Sequence, residues 1–551
     1  MDDALTKVPY SDEWWFSRLF REFHASEPRP NGKNLSRSAW ADHLWSWFEG
    51  NPPLPLHTEG WRGKASADVL RMGRANFAKL AVESKMDRVE LAGFRVSVDD
   101  NDQKRQEQID RAGRRIMKRY SSAFEDAMLY ASVMKDGYLW VGEPQADGLP
   151  LITAEKPQNC VTIDSPIDPS IALAAMKLYR DNLTNEEVAH VVLPADDDVI
   201  AAGGHIDRGD DTEKRPVRVV IMRRPSSRSY LTRGFNAQAW IAEDAKPLPP
   251  AAQGRGIPVY HVRAPHGLGD FEPHLDLLAR INNMIVDRLW ITKLQVFRQR
   301  ALRDTVDPED HRGPDERMPE NDPKTGEKID YSKVFEADPG SLWELPYGYD
   351  IWESTPADLQ PILLSVRDDV KEFATSTRTP LYVFMPDAIQ GSAEGAEVAR
   401  EGQVFKANSW KKRQTRTFLL VAQAALAIAG ENLTEEDELD LVWTPSQTYS
   451  LSQRTQAARD AKEVGIPLQG IVEDILQLSP ETWLRYKKQR QTDALRGLYA
   501  LPTTGGAREA TPAQPAPARP AAADPVEELS RNLDRPRQPA PTPAPGPPAR
   551  R

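Results

Sequence analysis

The chain has almost no cysteine. Its 551 residues contain one, Cys160, so no intrachain disulfide can form, and with nine scattered histidines no cysteine-based zinc site can be assembled. Cys160 lies in the strand-like run 159–163, where the expected state is a buried thiol rather than a nucleophile. Long apolar runs are missing too. No stretch of about eighteen apolar residues occurs, and the opening MDDALTKVPYSDEWW is acidic and lacks a signal-like apolar core, so we expect a protein made and kept in a cytoplasm with no membrane partner. Positive charge is the third lack. A formal net charge of −11 argues against tight wrapping of nucleic acid, which needs a basic face to displace phosphate counterions; fleeting contact is compatible with it.

Catalytic signatures are absent as well. There is no GxxxxGK[ST] phosphate loop, and Gly254-Arg255-Gly256 lacks the third glycine of a dinucleotide turn and precedes a strand. HExxH and GxSxG do not occur. Gly209-Asp210-Asp211 reads as solvated surface. Asp368 and Asp369 sit in a helical segment, where neighbouring side chains diverge by about 100° and cannot clamp one ion. A site assembled from distant residues leaves no such motif, but nothing here points to an enzyme, a cofactor or a metal.

What is present is enough apolar material for a core, 40% of residues, arranged with a clear order. Two long helical stretches, residues 273–303 and 358–379, bracket a polar insert rich in proline and glycine. Leu275, Leu278, Ile281, Ile285, Leu289, Leu294 and Phe297 recur at helical spacing in the first, and Leu359, Ile362, Leu363, Val366, Val370 and Phe373 in the second. At 1.5 Å per residue the first would run roughly 45 Å, longer than a small core is wide. Part of its stripe must pack on something outside itself.

Ahead of this pair, Trp-rich helices are expected at 12–23 and 36–48, the second capped by Ser36 and stopped at Gly50-Asn51-Pro52-Pro53. Helical spacing assigns Trp40, Trp45, Trp47 and Phe48 to packing rather than to a base-stacking platform. Residues 70–86 read as one helix, 89–98 as a strand, and 106–120 and 122–135 as two further helices. The period then changes to two, with short strands at 138–142, 149–154, 160–164, 174–179, 217–222 and 259–262. Helices first and antiparallel strands afterwards imply an α+β body rather than a doubly wound sheet. The acidic, Gly-rich stretch 196–211 is expected to be an exposed loop.

The insert, 304–357, begins too polar to bury much, while 342–352 suits one or two small strands. An apolar loop framed by Pro380 and Pro386 follows the second stretch. A third long helix then runs from near Ser392 to about Ala429, with a basic middle. A strand within 435–444 and helices at 450–465, 469–477 and 480–499 complete the ordered part, the last with proline in its first turn. From residue 501 the composition turns to Ala, Pro and Arg, giving a disordered or polyproline tail.

Several local sequences carry a resemblance: GNPPLP; ESKMDRVELAGFRV; MKDGYLWVGEP; GIPVYHVRAPHGLGDFEPHLDLLARIN; and TRTPLYVFMP followed by GSAEGAEVAREGQVFK. In this order, across residues 40–495, they resemble the portal proteins of tailed bacteriophages, those of phages infecting actinobacteria in particular. Gln390-Gly391 departs from the Asn-Pro that relatives often carry at that bend. The resemblance implies a portal fold: a wing (1–272), stem helices at 273–303 and 358–379 around a clip (304–357), and a tunnel loop (380–394). A long helix with a wing return (395–446), a crown (447–500) and the tail (501–551) would follow.

It further implies a homo-oligomeric ring, typically of twelve, at a capsid vertex of the virion, assembled in the host cytoplasm. Double-stranded viral DNA would enter during packaging and leave during ejection through that head–tail connector. A terminase large subunit would dock at the clip and supply the energy, consistent with the missing phosphate loop. Major capsid or scaffolding protein and a head-completion or adaptor protein would be the other partners.

Tyr382, Phe384, Met385 and Gln390 are the tunnel-loop candidates, with packing against neighbouring loops or the wing as the plain alternative for the three bulky ones. Arg298, Arg300 and Arg303 are basic candidates at the end of the first stem helix, where cations also stabilise a helix carboxyl end. Lys406, Lys411, Lys412, Arg413 and Arg416 read as a solvated face or an anion contact. A minor capsid protein or head–tail adaptor without a channel is the alternative function, and a nucleic-acid-processing enzyme a third.

Overall fold

The computed structural model describes residues 8–27, 34–54, 64–97, 103–206, 214–225, 240–248, 256–296, 300–304, 321, 324–328, 349–353, 355, 357–386, 393–434, 437–447, 451–476 and 480–499. The chain divides into two compact units, Met1–Ser479 and Pro480–Arg551, and the second is described only over the helix Pro480–Tyr499. The fold is α+β, as expected, and every strand pairing is antiparallel.

The largest sheet is ordered Ile241–Ala242, Arg218–Pro225, Glu186–Leu193, Ala172–Asp181, Cys160–Asp164, with Lys246–Pro247 also pairing on Arg218–Pro225. Because side chains alternate across a strand, Ala174, Met176, Leu178, Ala189, Val191 and Leu193 face one side. There they pack on Trp15, Phe16, Leu19, Phe20 and Phe23 of the helix Asp12–Phe23. That helix starts where Ser11 accepts a hydrogen bond from the Trp14 N–H, a side-chain cap for an otherwise orphaned donor. On the other side Ala175, Val192 and Cys160 meet Tyr138 and Val259 of a second sheet, ordered Val259–Arg263, Asp136–Pro144, Pro150–Glu155. Burial pushes the Cys160 thiol up, which agrees with an unreactive core residue.

The far face of this second sheet presents Leu139, Val141, Ile152 and Val262 to Phe124, Ala127 and Met128 of the helix Gln103–Met134, and to Phe418 and Val421 of the helix Ala393–Ile428. A third small sheet pairs Leu91–Ser97 with Glu438–Trp443, returning the chain to the body after the long helix.

Several boundaries differ from expectation. Residues 103–134 form one helix of 32 residues rather than two, because Ile116, Tyr120, Phe124 and Met128 continue one buried stripe past Ser121-Ser122. The expected helix at 70–86 is instead Lys64–Met72 and Phe77–Met86, broken at Gly73 and restarted where the Asn76 side chain accepts from the Lys79 N–H. Asp196–Ala201 is a short helix, not a loop, and Asp196 is buried against Arg215. The strand Glu186–Leu193, unforeseen, is the middle of the largest sheet. The tail beyond residue 499 lies outside the described residues.

A buried polar cluster links the two larger sheets. His261 Nε2 lies 2.8 Å from Asp136 and Nδ1 3.1 Å from Asp164, while Arg37 pairs with Asp136 and Arg263 with Asp164. Burial works against charge on His261, but its two carboxylate partners outweigh this and raise its pKa above 6.5. For Asp136 and Asp164 burial again opposes charge; Arg37 and His261 at the first, His261 and Arg263 at the second, hold them below the usual carboxylate range. The sign follows. Stability from the imidazolium is fully present below pH 6.5 and lost as pH rises through the raised value. We therefore expect the gap in unfolding free energy between wild type and His261→Asn, measured by urea denaturation, to narrow from pH 6 to pH 9. A gap that is constant or widens would contradict the bridging imidazolium.

Candidate functional site: the helical hairpin and its base

The paired helices are Leu275–Val296 and Gln360–Ser376, and they pack on each other. The first is shorter than its apolar periodicity suggested, at 22 residues or roughly 33 Å. Residues 300–304 are a strand instead, in register with Tyr349–Glu353 from Arg300 opposite Glu353 to Asp304 opposite Tyr349. Backbone pairing with a partner rich in aromatic and β-branched residues replaces the helix there. Arg300 and Arg303 thus sit on a strand, and the helix-end role considered for them does not apply. Arg298 lies outside the described residues.

The hairpin is fixed at its base. Leu278, Ile281, Val370 and Phe373 are buried with Trp40, Trp47, Val133 and Phe271 in one cluster. Arg280 bridges the helices, 2.9 Å from Asp369 and 2.6 Å from Glu372. The turn between the two short amino-terminal helices clasps the first hairpin helix: Ala75 N–H donates to Asn282 Oδ1 at 2.9 Å, and a Cβ on Gly73 would stand 2.2 Å from Val286 Cγ2.

Farther out the burial fades. Leu289, Trp290 and Ile291 on the first helix and Ile362, Leu363 and Val366 on the second are half-buried, and Leu364 is 56% exposed. The apolar stripe continues where the core has ended.

Charge is concentrated at the foot. Lys85 Nζ is 2.7 Å from Asp270 Oδ2, donates to Ser132 Oγ at 2.8 Å, and lies 3.8 Å from the centre of the Trp410 ring. Lys406 stands 3.8 Å from the same Asp270 oxygen and donates at 3.0 Å to the carbonyl of Thr377, the residue that caps the second hairpin helix. Burial pushes the Lys85 ammonium down to about 8 against the pull of Asp270. It likewise opposes charge on Asp270, yet Lys85 and Lys406 hold that carboxyl below its usual range. Lys411 is also buried, bonded to Ser446 Oγ at 2.7 Å and to the Thr444 carbonyl, and Arg416 pairs with Asp168. A solvated face is therefore the wrong description for Lys406 and Lys411: each side chain crosses to another element and satisfies its polar groups there.

After the second hairpin helix, Leu381–Phe384 form a single helical turn. Phe384 meets Phe77 and Phe373 edge-on at 5.8 and 5.6 Å, and Met385 joins the same apolar cluster. Tyr382 is half-buried and lines a cavity of about 350 Å³ with Leu80, Arg88 and Gln403. The structure thus gathers Tyr382, Phe384 and Met385 at the hairpin base. Gln390 lies outside the described residues. Among the described residues no cluster of His, Cys, Asp or Glu suits a metal ion, and no helix is long and apolar enough to cross a membrane.

Sequence reasoning missed Lys85 and Asp270. The signal was there: Lys85 occupies the apolar face set by Ala78, Ala81 and Val82, where a cation needs a buried partner.

No protein-family model matches the chain, and no curated protein does. Solved structures to which it is similar include a chain of the "Neck of native GTA particle computed with C12 symmetry", with 14% identity, 80% of this chain and 99% of that chain covered, and a TM-score of 0.33. A chain of the "Virion of native gene transfer agent (GTA) particle" gives 12%, 77%, 95% and 0.32 in the same order. The "Neck of empty GTA particle computed with C6 symmetry" gives 15%, 78%, 96% and 0.33.

Two substitutions test the base. Gly73→Ala is expected to destabilise by about 1–3 kcal/mol through overpacking on Val286, and Phe384→Ala by about 1–3 kcal/mol, below the cost for a fully buried phenylalanine. Urea midpoints check both, and a change under about 0.5 kcal/mol in either would refute the packing described.

Proposed function

We propose that the chain is the subunit of a portal ring, a conduit for double-stranded viral DNA at a capsid vertex. The observation that carries this reading is the hairpin, anchored in the core at its base and half-covered farther out, with a small strand pair between its helices. Copies set side by side in a closed ring would cover those stripes, each hairpin presenting one flank to the copy before it and the other to the copy after. Rotational closure suits a heterologous contact of this kind.

The order of elements after the hairpin supports the reading. An aromatic turn bounded by Pro380 leads into the helix Ala393–Ile428, which runs back through the body. An acidic subunit is also compatible with a conduit: DNA carries about one charge per 1.7 Å, and a strongly basic wall would hold it too tightly to slide. The missing phosphate loop would leave the energy to a separate motor, a terminase large subunit, docking at the clip, residues 304–357. Head-completion and capsid or scaffolding proteins would be the remaining contacts of the ring in the virion.

Light scattering on the purified chain tests this. Wild type is expected to form a closed assembly of about twelve copies. Leu364→Glu, at a position 56% exposed in the single chain, should yield monomers with an unchanged thermal unfolding temperature. A wild-type monomer at every concentration, or assembly undisturbed by Leu364→Glu, would refute the assignment of the stripe.

A further inference from the structure

The chain is acidic as a whole, yet one helix is not. Within Gln103–Met134, residues 104–119 hold seven lysines and arginines against Glu107 and Asp110, a local charge of +5 in a chain of −11. Helical spacing sorts them. Ile109, Ala112, Ile116 and Tyr120 face the core and fix the helix to the body. Lys104, Arg111, Arg115 and Lys118 lie on the far side at i, i+7, i+11 and i+14, all exposed, in one row roughly 21 Å long. Gln108 fills the gap in that row, and the exposed Glu125 and Asp126 end it beyond Ser122. Arg115 donates to the Asp147 carbonyl at 3.2 Å, and Arg119 beside the row pairs with the Asp147 carboxylate. Among the described residues no carboxylate pairs with Arg111 or Lys118.

We propose that this row is a contact for the phosphate backbone of a DNA duplex, sensitive to salt and blind to sequence. Three observations select that partner. No large apolar side chain of the helix is exposed, whereas a protein–protein contact is built around an apolar centre. No exposed aromatic stands in the row, so the stacked bases of a single strand would find no platform. The row carries one sign of charge along a line, which matches a duplex with one phosphate charge per about 1.7 Å of axis. Four such contacts release about four counterions, enough for a transient hold and too few for tight wrapping, in keeping with the acidic chain. That the duplex is viral DNA rests on the portal reading; the contact itself does not.

Fluorescence anisotropy of a short labelled duplex, titrated with the full chain, tests the row. Affinity is expected to fall at least about a hundredfold between about 50 and 200 mM salt, equally for two unrelated sequences. Arg111→Gln combined with Lys118→Gln should lower the slope of log affinity against log salt by about two or more, and the affinity at the lower salt by about tenfold. Arg18→Gln combined with Arg21→Gln removes the same charge from exposed positions of the helix Asp12–Phe23 and should leave both unchanged. Poly-glutamate, with about half the linear charge density at roughly 3.5 Å per residue, should compete less well than unlabelled duplex at equal charge concentration. Absence of binding at the lower salt, a preference between the two sequences, or an equal loss in the two double variants overturns the proposal. Competition by poly-glutamate as strong as by duplex also overturns it, in favour of an acidic protein partner. Light scattering on the same samples keeps the two readings apart: rings that bind no duplex refute the contact alone, and duplex-binding monomers refute the ring alone.

Discussion

An apolar stripe that runs past the end of its own core is the constraint on which the rest depends. The body buries Leu278, Ile281, Val370 and Phe373, whereas among the described residues none fully covers Ile362, Leu363, Val366 or Leu364. Full burial of one such side chain stabilises by about 1.5–3 kcal/mol, so several half-covered ones leave a sizeable driving force for association. The exposed Arg280 bridge cannot supply that, since surface ion pairs contribute about 1 kcal/mol at most. Apolar burial is the larger effect, and in the proposed ring the surface that accepts it is the neighbouring copy.

The buried charges have a different role. Arg37 with Asp136 and Lys85 with Asp270 each join segments far apart in sequence. Desolvation offsets most of what such pairs gain, while loss of one partner costs about 3–5 kcal/mol. They fix where elements sit relative to one another more than they add stability. At the hairpin this matters most, because the stripe can meet a neighbour only if its base is held at one angle, and both feet are tied to the long helix through Lys406.

Much of this was legible in the sequence. Ser36 begins its helix as the expected side-chain cap, and the helix Ala393–Ile428 falls within a residue of the expected bounds 392–429. These are local signals, and local physics decides them. The failures were non-local. Ser121-Ser122 looked like a break but is carried through by packing on both sides, and Glu186–Leu193 was passed over although its two neighbours in the sheet were both identified. The end of the first hairpin helix was misjudged because strand pairing between residues 45 or more apart in the chain leaves little trace near Arg300. At the candidate site the aromatic turn could be found by composition, whereas Lys85 and Asp270 acquire meaning only once the fold brings them together.

Particle imaging of the purified chain tests the central claim most directly. The account predicts closed rings with a central opening, and reconstructions in which the half-covered faces of Leu275–Val296 and Gln360–Ser376 lie against the same helices of adjacent copies. Particles no larger than a monomer or dimer at high concentration, or rings whose hairpins stand apart with those faces in solvent, would contradict it.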